Sequence, residues 1–177
     1  GYGNMVLSRW PFRTHHLVSL RMNQKKPRGA QLVTAKTPEG ELHLVNWHLG
    51  LAETERRWQV LHLLEHHLFR ESSHLPTIIA GDFNDWRNKL SGVVLSQYGF
   101  EQATTPPSHL RSFPAYFAMG SLDKVFFRGD LVIRHAHIVR TPLAKRASDH
   151  LPLVIDFHLD SAAQLVAFGD SNGAAPP

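Results

Sequence analysis

The sequence predicts an α/β fold: a mixed sheet in layers, with helices outside. Three observations lead there. Short apolar runs end at Gly and Pro, as strands do. One long stretch, residues 53–70, carries helical spacing. The elements follow the order strands, helix, strand, helix, strands, which is the order of an α/β chain.

In chain order, residues 5–8 form a short apolar run stopped at Arg9-Trp10-Pro11, and 16–20 read as a second strand. Lys25-Lys26-Pro27-Arg28 is the densest basic cluster and reads as a loop. Residues 30–36 and 42–48 are strand-like runs on either side of the turn signal Pro38-Glu39-Gly40. In the second run Leu42, Leu44 and Asn46 alternate with His43, Val45 and Trp47, which predicts burial on both faces. Trp58, Leu61, Leu64 and Leu68 set the expected apolar face of the first helix. A strand over 77–80 is expected to end at Gly81. A second helix is expected over 89–98, stopped near Gly99. Residues 104–120 hold three prolines and little periodicity, so a long loop is expected, of the kind that is often functional. Further strands are expected over 125–127, 131–139 and 153–159. From Ser161 the chain turns to Ala, Gly, Ser and Pro. The expected division is one domain over 1–160 and a flexible tail over 161–177.

Composition limits the function classes. With 42% hydrophobic and 19% charged residues in a chain of 177, a packed core is within reach. The absence of cysteine excludes disulfides, thiolate metal sites and a thiol nucleophile. No run approaches the roughly 20 apolar residues of a membrane span. A formal charge of +4 fits both ordinary solubility and an anionic partner. A cytoplasmic location is the expectation.

Four segments carry the chemistry, each where a strand meets a loop. They are Asn46-Trp47-His48-Leu49-Gly50, Gly81-Asp82-Phe83-Asn84-Asp85, Ser121-Leu122-Asp123-Lys124-Val125 and Ser148-Asp149-His150-Leu151-Pro152-Leu153. Strand ends are where α/β proteins place reactive groups. The set holds carboxylates (Asp82, Asp123, Asp149), imidazoles (His48, His150) and a carboxamide (Asn84). Carboxylates suit a hard cation such as Mg²⁺. A histidine held by an aspartate keeps one tautomer and is stabilised when protonated. This inventory fits displacement at phosphorus. Each segment alone has a plain structural reading: Asp82 and Asn84 are favoured turn residues, and Asp149-His150 is an ordinary surface turn.

Taken together and in this order, the segments resemble the successive motifs of the endonuclease/exonuclease/phosphatase (DNase-I-like) superfamily. The resemblance covers residues 1–159 and rests on Gly3-Asn4-Met5-Val6-Leu7-Ser8-Arg9, Arg28-Gly29-Ala30, His48-Leu49-Gly50 with Arg57 and Gln59, Gly81-Asp82-Phe83-Asn84, Leu122-Asp123 and Ser148-Asp149-His150-Leu151-Pro152-Leu153. Asp85-Trp86-Arg87, Arg111-Ser112-Phe113-Pro114 and Leu122-Asp123-Lys124-Val125 most resemble a bacterial branch of it. The resemblance implies a layered sandwich of two mixed sheets flanked by helices. It also implies an Mg²⁺- or Mn²⁺-dependent hydrolase of phosphate esters, a nuclease among the alternatives.

Residue by residue, Asp82 resembles the aspartate that orients or deprotonates the attacking water, and Asn84 its phosphate-contacting partner. His150 resembles the histidine that polarises the phosphate or moves a proton, and Asp123 the carboxylate that orients it. Asp149 resembles a metal ligand. His48 resembles a second phosphate-contacting or acid histidine. Arg28 is a candidate phosphate contact. Trp86 is set apart from Trp10, Trp47 and Trp58, which read as core, as a candidate for stacking on substrate. His62 and His66 stand four apart on the first helix, but no third ligand is evident, so they read as a solvated face.

The chain departs from the family pattern at its start. The strands carrying the family's Asn and metal-binding Glu would precede Gly3. The expectation is therefore an N-terminally incomplete domain with unpaired sheet edges, which self-association could cover. The substrate stays open between nucleic acid, a phospholipid head group and a phosphorylated metabolite. The alternative to an enzyme is a catalytically inactive remnant that binds phosphorylated ligands or a protein partner.

Overall fold

A computed structural model describes residues 3–90 and 94–160 of the chain. The expected tail over 161–177 lies outside the described residues, as does part of the expected second helix.

Strand β1 (Phe12–Ser19) pairs antiparallel with β2 (Gly29–Thr37), and β2 with β3 (Gly40–His48). The β2–β3 turn closes Thr37 against Gly40, whose φ of 139° favours glycine. Helices α1 (Glu53–Glu65) and α2 (His67–Glu71) carry the chain over to β4 (Thr77–Asp82), which runs parallel to β3. This is the crossover that a parallel pair requires. The two-residue β5 (Glu101–Gln102) and β6 (Asp123–Arg128) complete a mixed sheet of order β1-β2-β3-β4-β6-β5. A second sheet holds β7 (Leu131–Ile138) and β8 (Leu153–Leu159), with the short helix α3 (Pro142–Ala147) between them.

Strand alternation divides the core in two. Val45, Trp47, Ile79 and Phe126 face Val60, Leu63, Leu64 and Phe69 of the helices. Leu42, Ile78 and Val125 face Leu131 and Leu159 of the small sheet. The layers are thus helices, large sheet, small sheet, as expected. The small sheet is an antiparallel pair among the described residues, where a mixed sheet was expected.

Several elements differ from expectation, each for a local reason. Residues 5–8 form no strand: Met5 and Leu7 are exposed, and a lone apolar run with no paired neighbour has nothing to hold it extended. The expected helix over 53–70 breaks at His66, whose ψ of 135° is extended and whose Nδ1 accepts from the Leu68 amide. Strand β4 does not stop at Gly81. A Cβ there would lie 2.0 Å from the Trp47 carbonyl oxygen, so the bare backbone lets the ladder run on into Asp82. Around the second expected helix, Leu95–Tyr98 is a 3₁₀ turn ended by Gly99 in the left-handed region. The 104–120 loop is closed into a bend by a bridge between Phe113 and Gly120. Trp10 is partly exposed rather than core.

The buried face of α1 is rotated from the expected one. It comprises Glu55, Arg56, Gln59, Val60, Leu63 and Leu64. The polar members are there because they tie down loops. Gln59 Oε1 accepts from the Gly50 amide at 2.8 Å, and its Nε2 donates to the Leu20 carbonyl at 3.0 Å. Arg56 donates to the Leu51 carbonyl. Gln59→Leu leaves a buried donor and acceptor unmatched and lowers unfolding free energy by about 2 kcal/mol, measured by urea denaturation. A loss below about 0.5 kcal/mol would mean that the clamp contributes nothing net.

Candidate active site

The register of the large sheet sets three reactive side chains abreast. His48 pairs with Asp82 across β3–β4, and Asp82 with Asp123 across β4–β6. By alternation all three project from the face that meets the small sheet, at one end of it. The loop from α3 to β8 brings His150 to the same point. It is fastened to the 112–115 segment by two bonds: the Ala115 amide donates to the Asp149 carbonyl at 2.7 Å, and the Leu151 amide to the Ser112 carbonyl at 2.8 Å.

The four side chains form one network. His150 Nδ1 lies 2.7 Å from Asp123 Oδ2, which also accepts from the Ser112 hydroxyl. His150 Nε2 lies 3.7 Å from Asp82 Oδ2, and His48 Nε2 lies 3.5 Å from the same oxygen. Asp82 Oδ1 accepts from the Asn84 amide at 2.8 Å. Asn84, at a φ of 50°, is buried and donates its carboxamide to the Leu49 carbonyl at 2.9 Å. It thereby locks the Asp82 turn to the His48 turn.

The environments drive the two imidazoles apart. The hydrogen bond to Asp123 holds the His150 pKa above its ordinary value, against the opposing effect of burial. Desolvation lowers that of His48, outweighing Asp82, with Arg28 and Lys26 adding to the depression. Burial also raises Asp82, against the Asn84 amide that favours its charge. His150 therefore holds a proton more readily than His48 does, and such a difference between neighbouring groups is what acid–base chemistry uses.

A family model described as the endonuclease/exonuclease/phosphatase family matches residues 1–150. The chain belongs to the endonuclease/exonuclease/phosphatase family. The chain is 30% identical over 165 residues to protein YbhP of Escherichia coli, a match covering 89% of this chain and 63% of that one. The chain thus spans somewhat under two thirds of the length of this relative. Several solved structures share the fold, two of them as follows. An endonuclease/exonuclease/phosphatase from Beutenbergia cavernae superposes with a TM-score of 0.72 at 21% identity, over 86% of this chain and 46% of that one. A mannosyl-6-phosphatase of Bacteroides thetaiotaomicron gives 0.68 at 14%, over 85% and 67%.

The remaining expected site residues sit around this network. Arg28 lines a cleft of about 900 Å³ that adjoins His48 and runs past Lys26, Leu17 and Gln31. Trp86 is exposed, set edge-on to Phe113 and packed against Gly120.

Metal binding by these residues is a separate matter. A hard cation takes about six oxygen ligands. Among the described residues, no three His, Asp or Glu side chains converge to hold one. Asp82 and Asp123 are engaged with the two imidazoles, and Asp149 is an exposed carboxylate that accepts from Ser148 Oγ at 3.5 Å. The described donors therefore do not make a complete Mg²⁺ or Mn²⁺ site, and Asp149 stands outside any ligand cluster.

Sequence reasoning left two contributors unassigned. Ser112 donates to the same Asp123 oxygen that His150 contacts, and the Phe113 ring packs on the His150 imidazole at 4.7 Å. Both lie in the Arg111-Ser112-Phe113-Pro114 segment that carried the resemblance. Behind the site Lys124 is fully buried and donates to the Ser121 carbonyl, and burial lowers its pKa.

Proposed function

We propose that the chain is a phosphoesterase in which water attacks phosphorus at Asp82. One observation carries this: the Asp123–His150 pair, closed at 2.7 Å, leaves the imidazole's Nε2 facing Asp82 at 3.7 Å. Asp82, with its pKa raised by burial, orients the water and accepts its proton. His150 donates a hydrogen bond to a non-bridging oxygen as charge builds there, while the P–O bond to the leaving oxygen breaks and that oxygen departs to take its proton from solvent. His48, proton-free near neutrality, takes up the proton that Asp82 receives or contacts a second phosphate oxygen. Family membership and the solved phosphatase of the same fold support this reading. The family resemblance makes Mg²⁺ or Mn²⁺ the expected cofactor, but no step here runs through it, because the described donors do not form its site.

The test is hydrolysis of bis-p-nitrophenyl phosphate by the purified chain in buffer containing Mg²⁺ or Mn²⁺. Turnover is expected, and Asp82→Asn lowers it about 10²-fold. Turnover equal in the variant would overturn the assignment.

The incomplete ligand set favours a second reading, a site that binds phosphate esters without cleaving them. Under it there is no turnover. Inorganic phosphate then still shifts the His48 and His150 imidazole resonances, and in His150→Ala the His48 shift is lost.

A further inference from the structure

The loops that carry the site also carry a concentration of exposed apolar side chains. Leu51 follows the His48 turn, and Trp86 follows the Asp82 turn. Tyr116, Phe117 and Met119 form the bend before Asp123, and Leu143 lies on the helix before His150. All six are between 56% and 77% exposed. The connections at the opposite end of the sheet, 38–39, 72–76 and 129–130, carry no exposed large apolar side chain. Trp10, Phe12 and Phe157 lie near that end but are only 37–40% exposed, so the most exposed apolar side chains of the connecting loops gather at the site end.

Charge is distributed in the same way. Lys26, Arg87, Arg111 and Arg146 are exposed in or beside these loops. The exposed acids among them are Glu53, which is bonded to Lys89 at 2.9 Å, and Asp149. Large exposed apolar patches with a polar rim mark interaction surfaces. Apolar side chains ringed by lysine and arginine are the arrangement that enters the head-group boundary of an anionic bilayer.

We infer that this end of the molecule docks on an anionic phospholipid surface, with the bend 113–120 and Leu143 entering the interface. The site would then open toward the plane of the head groups. A single nucleic-acid strand would also answer to the basic charge, but it needs flat ring faces to stack on. Tyr116 and Phe117 offer two, but Leu51, Met119 and Leu143 have none, and Trp86 is already packed against Gly120 and Phe113. Aliphatic side chains gain only from an apolar medium.

Docking needs no hydrolysis, so it can fail while the proposed function stands, and the reverse. The test is co-sedimentation of the full chain with phosphatidylcholine vesicles, with and without phosphatidylglycerol, and a single-stranded oligonucleotide as the competing probe. Binding is expected to the phosphatidylglycerol vesicles, with a blue shift in tryptophan emission as Trp86 leaves water. Phe117→Ser with Leu143→Ser weakens that binding about tenfold or more. Both positions are exposed, so circular dichroism should show the fold unchanged. Three results would each overturn the inference: no binding to the anionic vesicles, equal binding by parent and variant, or oligonucleotide binding alone that the two substitutions abolish.

Discussion

His150→Ala lowers phosphodiester turnover about 10³-fold. The substitution removes the imidazole whose hold on its proton Asp123 strengthens and leaves the Asp123 carboxylate without its imidazole partner beside Asp82. Asp123→Asn separates these effects. It keeps the shape and the Ser112 contact but removes the anion whose hydrogen bond raises the His150 pKa. In the parent, activity that needs protonated His150 persists above the ordinary histidine pKa and falls as pH rises through the raised value. In Asp123→Asn that alkaline limb moves to lower pH. Profiles of kcat/KM against pH for the parent and both variants decide the matter. An unmoved limb in Asp123→Asn would show that Asp123 does not tune His150.

Acid is expected to destabilise this protein through a residue far from the chemistry. His43 is buried on β3, its ring tilted against Phe69 at 5.5 Å and its Nδ1 without a hydrogen-bond partner. Burial lowers its pKa from 6.5 to about 4, with Arg128, His16 and His74 adding to the depression. The unfolded chain then binds the extra proton first, so stability is full above about pH 6.5 and is lost as pH falls toward about 4. The loss over that window is on the order of 3 kcal/mol. His43→Leu keeps an apolar side chain in the core and removes the proton site. Urea denaturation at pH 7 and pH 4.5 should show a steep loss in the parent and a much shallower one in the variant. Equal slopes would place acid sensitivity elsewhere.

The site was more legible than the scaffold. His48, Asp82, Asp123 and His150 lie at strand ends in short motifs, where identity and order fix their place. The first helix was misread because its apolar spacing is a poor guide when Glu55, Arg56 and Gln59 are buried to hold loops. Strand β5 has two residues and hence no period to read. Helix α3 did carry a signal, Thr141 as cap with Pro142 behind it, and the Ala144 amide bonds to the Thr141 hydroxyl at 3.2 Å. Ser112 was invisible as a partner of Asp123 because the two meet only when the 113–120 bend closes. Asp149 shows the opposite case: its motif is intact, yet no ligand cluster surrounds it among the described residues.

The row of His48, Asp82 and Asp123 across three strands also bears on how the protein acquires its shape. These residues and His150 are far apart along the chain and meet only when β3, β4 and β6 are zipped and the β8 loop is seated. Such long-range closures come late and slowly in folding, because their chain entropy is lost before any contact compensates. No local segment can nucleate this site in advance. A molecule that has it has therefore already crossed its main folding barrier, which makes recovery of the His150–Asp123 pair a direct clock for renaturation of the whole domain.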